Sequence, residues 1–483
     1  MKLLALYFLL YVNFITVVRA QTIFWQQETH VSDGSLYGNS RPRIVLTNHD
    51  VPVVINGKTG GGIVSSRWNG SSFDSPISIL PVGVSAYLTS WTGPSIASKG
   101  DTIFIVFKAL PLETGHIYLI KSYNGGISYS DTIRADNHDQ GVAWLPAIQC
   151  DEIGNPTVIY MAHDSIWVHP RYMINHSIDQ GNSFIGEIDV AASIPEEACD
   201  CCPAEYVIKG NKHALLFRNN ENNIRDVFAV YSSDDGATYP NFANIDQLNW
   251  NVNFCPSTGP HGIFTSEKLI SVFASKASGN YKVYVSNTDL SFGLGNSNLT
   301  VMIPPVNNAG NQNYPRISGN GDTVLVVWQE AESSNYDIMC SWTTNDSLVN
   351  LTTNKEIINT LTSGTQSNPD IAFKNNKIHV VYQDAPSGDV IYNRGSFNTL
   401  NNLELSNQLV MISPNPSFDG KFNVLLPETA ALEIVDVFGK EISFIQSKQS
   451  ESNIIDLESN YGCYFLVIRN GEKVLRKKII NAY

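Results

Sequence analysis

Residues 196–206 read EEACDCCPAEY and place Cys199, Cys201 and Cys202 within four positions. Thiols this close suit a metal site, a redox pair or a covalent staple, and the compartment decides among them. A second stretch, RNNENNIRD (218–226), is dense in amides and guanidinium groups. Arg218 and Arg225, with Arg171 in an earlier loop, suit carboxylate or phosphate recognition. Asn219 and Asn220 match hydroxyl-rich ligands, and Asp226, Glu330 and Asp384 add acceptors. These eight residues form the candidate ligand-binding set, and a solvated rim of ion pairs is the plain alternative. Other chemistry is weaker. His163/His169 and His138/Asp139 read better as loop residues than as metal ligands, and no HExxH or Gly-rich phosphate loop occurs. No metal or cofactor is expected. Acidic loops have oxygen ligands that suit Ca²⁺, but no contiguous calcium-loop motif supports it.

The compartment is written at the N-terminus. MKLLALYFLLYVNFITVVRAQT has a basic Lys2, an apolar Leu3 to Val18 and a Val18-Arg19-Ala20 cleavage site. That pattern predicts a secretory signal peptide over 1–20, cut between Ala20 and Gln21. No later stretch has the roughly 18 consecutive apolar residues of a spanning helix. Losing Lys2 and Arg19 moves the formal net charge from −14 to −16. So acidic a chain, with no basic run, is repelled by nucleic acid.

The elements that must position these residues repeat. Seven stretches pair a Pro with a following apolar position: RPRIVL at Pro42, TGPSIA at Pro94, LPAIQC at Pro146, CCPAEYVI at Pro203, TGPHGIF at Pro260, YPRISG at Pro315 and NPDIAF at Pro369. Their separations are 52, 52, 57, 57, 55 and 54. After each comes a β-branched or aromatic run (VPVVI, TIFIVF, PTVIYM, HALLF, LISVFA, TVLVVW, KIHVVY) and then a polar loop and further strands. Such units predict an all-β chain built as a β-propeller. Seven blades are expected, with a strand from TIFWQQETHV (22–31) completing the last; six is the alternative.

Three repeats contain a tighter motif: SYNGGISY (122–129), SIDQGNSF (177–184) and SSDDGATY (232–239). Its Ser, Asp/Asn and Gly positions are Ser122, Asn124, Gly126, Ser177, Asp179, Gly181, Ser232, Asp234 and Gly236. The acid or amide bonds backbone amides of a tight hairpin and Gly supplies a positive φ. SRWNGSSF (66–73) is a degenerate copy. These stretches resemble the Asp-boxes, or BNR repeats, of sialidase-like propellers, and the resemblance covers roughly 24–405. It implies that these positions are structural and lie on the face away from the active site. CDCCPAEY, LLFRNNENNIRDVFAVYSSDDGATY and WNVNFCPSTGP together resemble an uncharacterised bacterial branch of that family.

Strand order places the loops of the candidate set on the face opposite these hairpins. A sialidase-type hydrolase, as the resemblance implies, has three Arg on a substrate carboxylate, a Tyr nucleophile with a Glu, and an Asp acid/base. Here Arg43, Arg218 and Arg316 are available, Val45 stands where an Arg-Ile-Pro motif has Pro, Asp50 is misplaced for the acid, and Tyr382 has no partner legible from spacing. The resemblance therefore supports the fold better than catalysis. The expected function is glycan or glycoprotein recognition; exo-acting hydrolysis and a structural adhesin without a pocket are the alternatives.

The tail differs in kind. PNPSFDGKFNV (413–423), ALEIVDVFGKEI (431–442), YGCYFLVI (461–468) and a basic last strand resemble the C-terminal sorting domain of type IX secretion cargo of Bacteroidetes. The resemblance spans most of 409–483. It implies handling by that secretion machinery, and the strand pattern predicts a small Ig-like β-sandwich. The expected order is a leader at 1–20, a propeller at 21–405 and the sorting domain at 409–483. An exported chain keeps its disulfides, so the cysteine run reads as a staple, with Cys255 in the next repeat as a partner.

Overall fold

The structure, a computed structural model, describes residues 22–482 except 33–39, 165–166, 191–196, 267, 290–297, 307–309, 333–334, 398–410, 427–429, 439, 447–451, 458–459 and 471–472. Ala20 and Gln21, the expected cleavage pair, lie outside the described residues. The chain divides into two compact units, Phe24–Ser396 and a second containing Phe397–Tyr483.

The first unit consists of antiparallel meanders. Sheet 1 holds Ser40–Leu46, Pro52–Lys58, Gly62–Arg67 and Ile77–Ser78; sheet 2 holds Ser95–Lys99, Thr102–Lys108, Ile117–Ser122 and Ile133–Arg134. Sheet 3 holds Val142–Cys150, Pro156–His163, Arg171–His176 and Ile185–Asp189; sheet 4 holds Glu205–Lys209, Lys212–Arg218, Val227–Ser232 and Asn241–Asn244. Sheet 5 holds His261–Phe264, Lys268–Ser275, Lys282–Asp289 and Asn298–Met302; sheet 6 holds Gln312–Asn320, Thr323–Glu332, Asn335–Thr343 and Lys355–Ile357. Sheet 7 joins Gln366–Lys374, Lys377–Asp384 and Asp389–Phe397 to the N-terminal strands Ile23–Trp25 and Thr29–His30. The first strands of successive sheets pack side by side, and that of sheet 7 packs on that of sheet 1. The ring is therefore closed, and its outer seam is held by Gln26 N donating to Arg394 O (2.8 Å) and Trp25 Nε1 to Glu356 Oε1 (2.6 Å).

The core lies between neighbouring sheets. One cluster joins Phe104 and Val106 of sheet 2 to Val158 and Tyr160 of sheet 3; another joins Val207 and Leu216 of sheet 4 to Phe264 and Phe273 of sheet 5. Second strands are apolar on both faces because a sheet flanks each side: Ile103 through Val106 are fully buried. Each such side chain contributes about 1.5–3 kcal/mol. Packing between the sheets leaves the ring axis free for polar groups.

Hairpins between third and fourth strands are locked by side chains. Asp179 Oδ1 accepts from the backbone of Asn182 (2.9 Å) and Ser183 (2.8 Å), while Ser177 Oγ accepts from Gly181 N (2.7 Å). Asp234 accepts from Thr238 N (3.0 Å) and Asn124 from Ser128 N (3.0 Å). Gly181 has φ 76° and packs on Leu119, so any Cβ there would meet both strain and a neighbour. Tyr129 reaches across to Ser65 of the preceding sheet (2.6 Å). Sheet 6 has a version not singled out in the sequence: Thr343 Oγ1 accepts from Ser347 N (3.2 Å) and bonds Asn345 Oδ1 (2.7 Å).

The second unit has two sheets. Met411–Ser413, Lys421–Leu425 and Ser452–Asp456 form one; Ala431–Asp436, Glu441–Gln446, Gly462–Asn470 and Lys473–Asn481 form the other. They share a core of Phe422, Val424, Leu432, Ile455, Leu466 and Ile479.

Candidate functional site

The axis gathers the starts of the first strands, on the face opposite the locked hairpins. Arg41, Arg43, Glu205, Tyr314 and Arg316 line a narrow cavity there with Trp91, and Pro203, Pro260, Pro315 and Pro369 of the repeat stand around it. A local backbone device aims these side chains. In sheets 1, 3, 6 and 7 the register slips at the repeat Pro, a bulge, and in sheets 1, 6 and 7 the following residue is Arg43, Arg316 or Asp370 of this charged cluster. The residue before Pro is left-handed in each: Arg41 (φ 47°), Leu145 (51°), Tyr314 (51°) and Asn368 (51°). Non-glycine residues avoid this region, and a following Pro disfavours it further. Each costs about 1–3 kcal/mol, the kind of strain that concentrates where side chains must be aimed.

The charges are unequal. Arg316 Nε donates to Asp370 Oδ1 (2.8 Å), and its Nη1 lies 3.6 Å from Glu205 Oε2. Ile44 N also donates to Asp370 Oδ2 (3.0 Å). Ile317 N donates to His261 Nδ1 (3.2 Å), which leaves Nε2 as the protonated nitrogen, 3.4 Å from Glu205 Oε2. Arg43 is 5% exposed, donates from Nη1 to Pro42 O (2.9 Å) and has no carboxylate in ion-pair range among the described residues. Arg41 lies over the Tyr314 ring, 5.7 Å from its centroid. Three guanidinium groups thus face two carboxylates.

Burial, then Arg316 and Arg41, push Arg43 well below the ordinary arginine value. Burial and Arg316 bring Arg41 down to about 10. Burial opposes ionisation of Asp370 and Glu205 as well, but the neighbouring groups outweigh it and hold both below the usual carboxylate range: Arg316 and Arg43 on Asp370, His261 and Arg316 on Glu205. The site is built to keep its acids ionised and has one guanidinium more than it has carboxylates. The cavity is about 40 Å³. At about 10–15 Å³ per water it holds a few waters, or a group the size of a carboxylate, and no sugar ring.

The residues expected on an open rim are placed differently. Arg218 is fully buried: its Nη1 donates to Arg225 O, Nη2 to Ala274 O (2.7 Å), and the guanidinium lies over Trp250 at 5.0 Å. Asp226 is buried and accepts from Trp250 N (2.9 Å), Asn249 N (3.1 Å) and Asn244 Nδ2 (2.7 Å). Glu330 accepts from Gln312 Nε2 (2.8 Å) and Trp328 Nε1 (3.0 Å), and Asp384 from Gln366 Nε2 (2.7 Å). Asn219 is buried, with its N–H on Asp226 O (2.9 Å), and Asn220 N bonds Glu197 O (2.8 Å). Arg225 is buried beside Asp200 (4.0 Å), and Arg171 pairs with Asp164 (3.2 Å). These groups are not presented on an open rim: Arg218, Asp226, Glu330 and Asp384 stand at or beside strand ends, and neighbouring backbone and side-chain groups take up their charges.

Of the arginines read against the sialidase pattern, Arg43 and Arg316 meet at the axis and Arg218 does not. Tyr382 does touch a glutamate, Glu28 (2.7 Å), but Glu28 also binds Thr360, and neither Tyr382 nor Glu28 lines the cavity. Asp50 is tied to Lys374 (3.1 Å) and Asn375 (2.8 Å). Glu205, His261 and Asp370 were not singled out, although for His261 and Asp370 a signal was present. Arg43, His261, Arg316 and Asp370 each directly follow a repeat Pro, and these four meet near the axis.

The cysteines form two disulfides. Cys201–Cys255 joins the segments entering sheets 4 and 5, and Cys199–Cys202 closes a local loop. The three clustered sulfurs lie within 4.8 Å of one another, but as disulfides they offer no thiolate to a metal. Cys150, Cys340 and Cys463 are free.

Residues 411–482 match the secretion system C-terminal sorting domain. The chain is thus type IX secretion cargo, exported to the cell surface or the extracellular space. Among the described residues no helix is long and apolar enough to cross a membrane. No curated protein matches the chain. Similar solved structures include a protein of unknown function from Dyadobacter fermentans (11% identity, TM-score 0.47, 78% of this chain and 99% of that one). Others are a variant of the NanB sialidase of Streptococcus pneumoniae (11%, 0.44, 65% and 68%) and the alpha-L-arabinanase of Penicillium chrysogenum bound to arabinobiose (10%, 0.44, 63% and 94%). No activity follows from likeness at this level.

Proposed function

We propose that the chain is an exported, seven-bladed sialidase-like propeller over 21–405, followed by an Ig-like sorting sandwich at 409–483, and that it recognises an acidic glycan or glycoprotein at the axis. The locked hairpins at 122–129, 177–184 and 232–239 are its Asp-boxes. The observation behind this reading is the surplus guanidinium: Arg43, buried between Arg41 and Arg316 with both carboxylates already engaged. A ligand carboxylate neutralises it and accepts its free N–H groups in the geometry guanidinium favours. The cavity takes that group alone, so the rest of the ligand stays on the open face.

Binding fits better than hydrolysis. A sialidase-type reaction needs a tyrosine activated by a carboxylate. Tyr314 is the tyrosine of the cavity, its neighbour is Arg41, and burial raises its pKa. No carboxylate hydrogen-bonds its hydroxyl among the described residues. The test is an array of acidic and neutral glycans probed with wild type and Arg43→Gln. Binding confined to acidic glycans and lost in the variant supports the reading. An empty array, or one blind to the substitution, refutes it. Release of sugar from an acidic reporter substrate shifts the choice to the hydrolase.

A further inference from the structure

We infer that a groove between sheets 4 and 5 is a second sugar subsite, which takes a neighbouring ring of the same acidic oligosaccharide; this rests on the axial reading above. The groove has a volume of about 460 Å³, within the size range of ligand pockets, against about 40 Å³ at the axis. It is formed by Leu248–Phe254, which lead from sheet 4 into sheet 5, and by Lys276–Gly279, between the second and third strands of sheet 5. Both segments belong to the face on which the axial cavity opens.

Its chemistry suits a ring bearing hydroxyls and an acid. Phe254 is 44% exposed and stands edge-on to the buried Trp250, 6.4 Å between centroids. The Lys276 ammonium lies 5.9 Å from the centroids of both Phe254 and Tyr281 and has no carboxylate in ion-pair range among the described residues. Asn249 and Asn251 are exposed along the wall. An aromatic face takes the C–H side of a sugar, amides take its hydroxyls, and the ammonium takes a carboxylate.

The groove is held rigid from behind. Arg225 N donates to Trp250 O (2.8 Å), Val252 N to Asn223 O (2.8 Å) and Asn251 Nδ2 to Asn222 O (3.3 Å). RNNENNIRD is thus the frame of the groove. Arg218 links the two sites, stacked on Trp250 and donating to Thr258 O (3.4 Å) in the cavity wall. Phe254 of the groove and Ser257 of the cavity are three residues apart, so their Cα atoms are at most about 11 Å apart. A short oligosaccharide spans that gap.

The test is calorimetric titration of the full exported chain with galacturonate and tri-galacturonate, and with N-acetylneuraminate and 3′-sialyllactose. For at least one pair the longer ligand binds about tenfold more tightly than its monosaccharide. Phe254→Ala and Lys276→Ala each remove about tenfold from the longer ligand and leave the monosaccharide unchanged. Arg43→Gln weakens both ligands. If neither pair shows a length advantage, or if both groove variants match wild type on the longer ligand, the groove is refuted while monosaccharide binding still upholds the axis. If Arg43→Gln changes nothing but Phe254→Ala does, the axis fails and the groove stands. Binding of none of the four probes overturns both. Unfolding midpoints equal to wild type show that the groove variants are folded.

Discussion

Two arginines of one cavity should respond oppositely to the same substitution. Arg316 satisfies Asp370 at 2.8 Å and lies 3.6 Å from Glu205. Arg316→Met strands two buried carboxylates, a change that costs about 3–5 kcal/mol. Arg43 has no carboxylate in ion-pair range among the described residues and is crowded by Arg316 and Arg41. Arg43→Met removes a buried surplus charge and keeps an apolar stem of similar length, so it stabilises by on the order of 1–4 kcal/mol. At roughly 2.1 cal/mol/K of unfolding entropy per residue, each kcal/mol moves Tm of a unit the size of 24–396 by about 1.3 °C. Calorimetry should show Arg316→Met melting about 4–7 °C below wild type and Arg43→Met about 1–5 °C above it. An acidic sugar at a hundredfold over its Kd adds about 2.7 kcal/mol to wild type and nothing to Arg43→Met. Such a trade of stability for binding is what a surplus charge kept for a ligand predicts. A fall in Tm for Arg43→Met, or an undiminished ligand effect in it, would refute the reasoning.

Three further outcomes are expected. Burial and then Asp226 raise Asp246 to about 8, above the roughly 4 of an unfolded chain, so its contribution is complete below about pH 4 and is lost as pH rises through 8. That loss is on the order of 5 kcal/mol, so Asp246→Asn should flatten stability between pH 5 and 9 in urea titrations; an unchanged profile counts against it. Cys255→Ser opens a link across 54 residues and should cost about 4 kcal/mol by loop entropy, while peptide mapping of the unreduced protein recovers a Cys201–Cys255 pair; free thiols at both positions would contradict the staple. Deleting 411–482 should leave the chain inside the cell envelope on fractionation, and surface or medium localisation of that variant would remove the sorting role from the tail.

The rim residues show where reading from sequence stops. Arg218, Asp226, Glu330 and Asp384 have the right chemistry for ligands, and they stand at or beside strand ends on the side of the ring where the cavity opens. They became internal because neighbouring backbone and side-chain groups of the packed sheets and their connections take up these charges, as buried polar groups require. Whether such a charge is taken up internally or left open depends on neighbours remote in sequence, such as Trp250 N for Asp226 and Ala274 O for Arg218. The Cys201–Cys255 contact was nearer to hand, because the repeat places both residues at equivalent entrances of adjacent sheets.

By itself the sequence determined what is local or periodic. The Pro stretches recur every 52–57 residues, and each falls at the start of a sheet's first strand, because a strand needs only its own alternation and turn chemistry to declare itself. The Asp179 and Asp234 hairpins are set by contacts within five residues, and the tail is recognisable from its own motifs. Only the tertiary structure decided which charges meet. Arg43, Glu205, Arg316 and Asp370 come from four sheets and touch because the ring closes, and bulges at Pro42, Pro315 and Pro369 aim three of them inward. Their pKa values, the leftover positive charge and the small cavity follow from that convergence at the axis, which no single repeat contains.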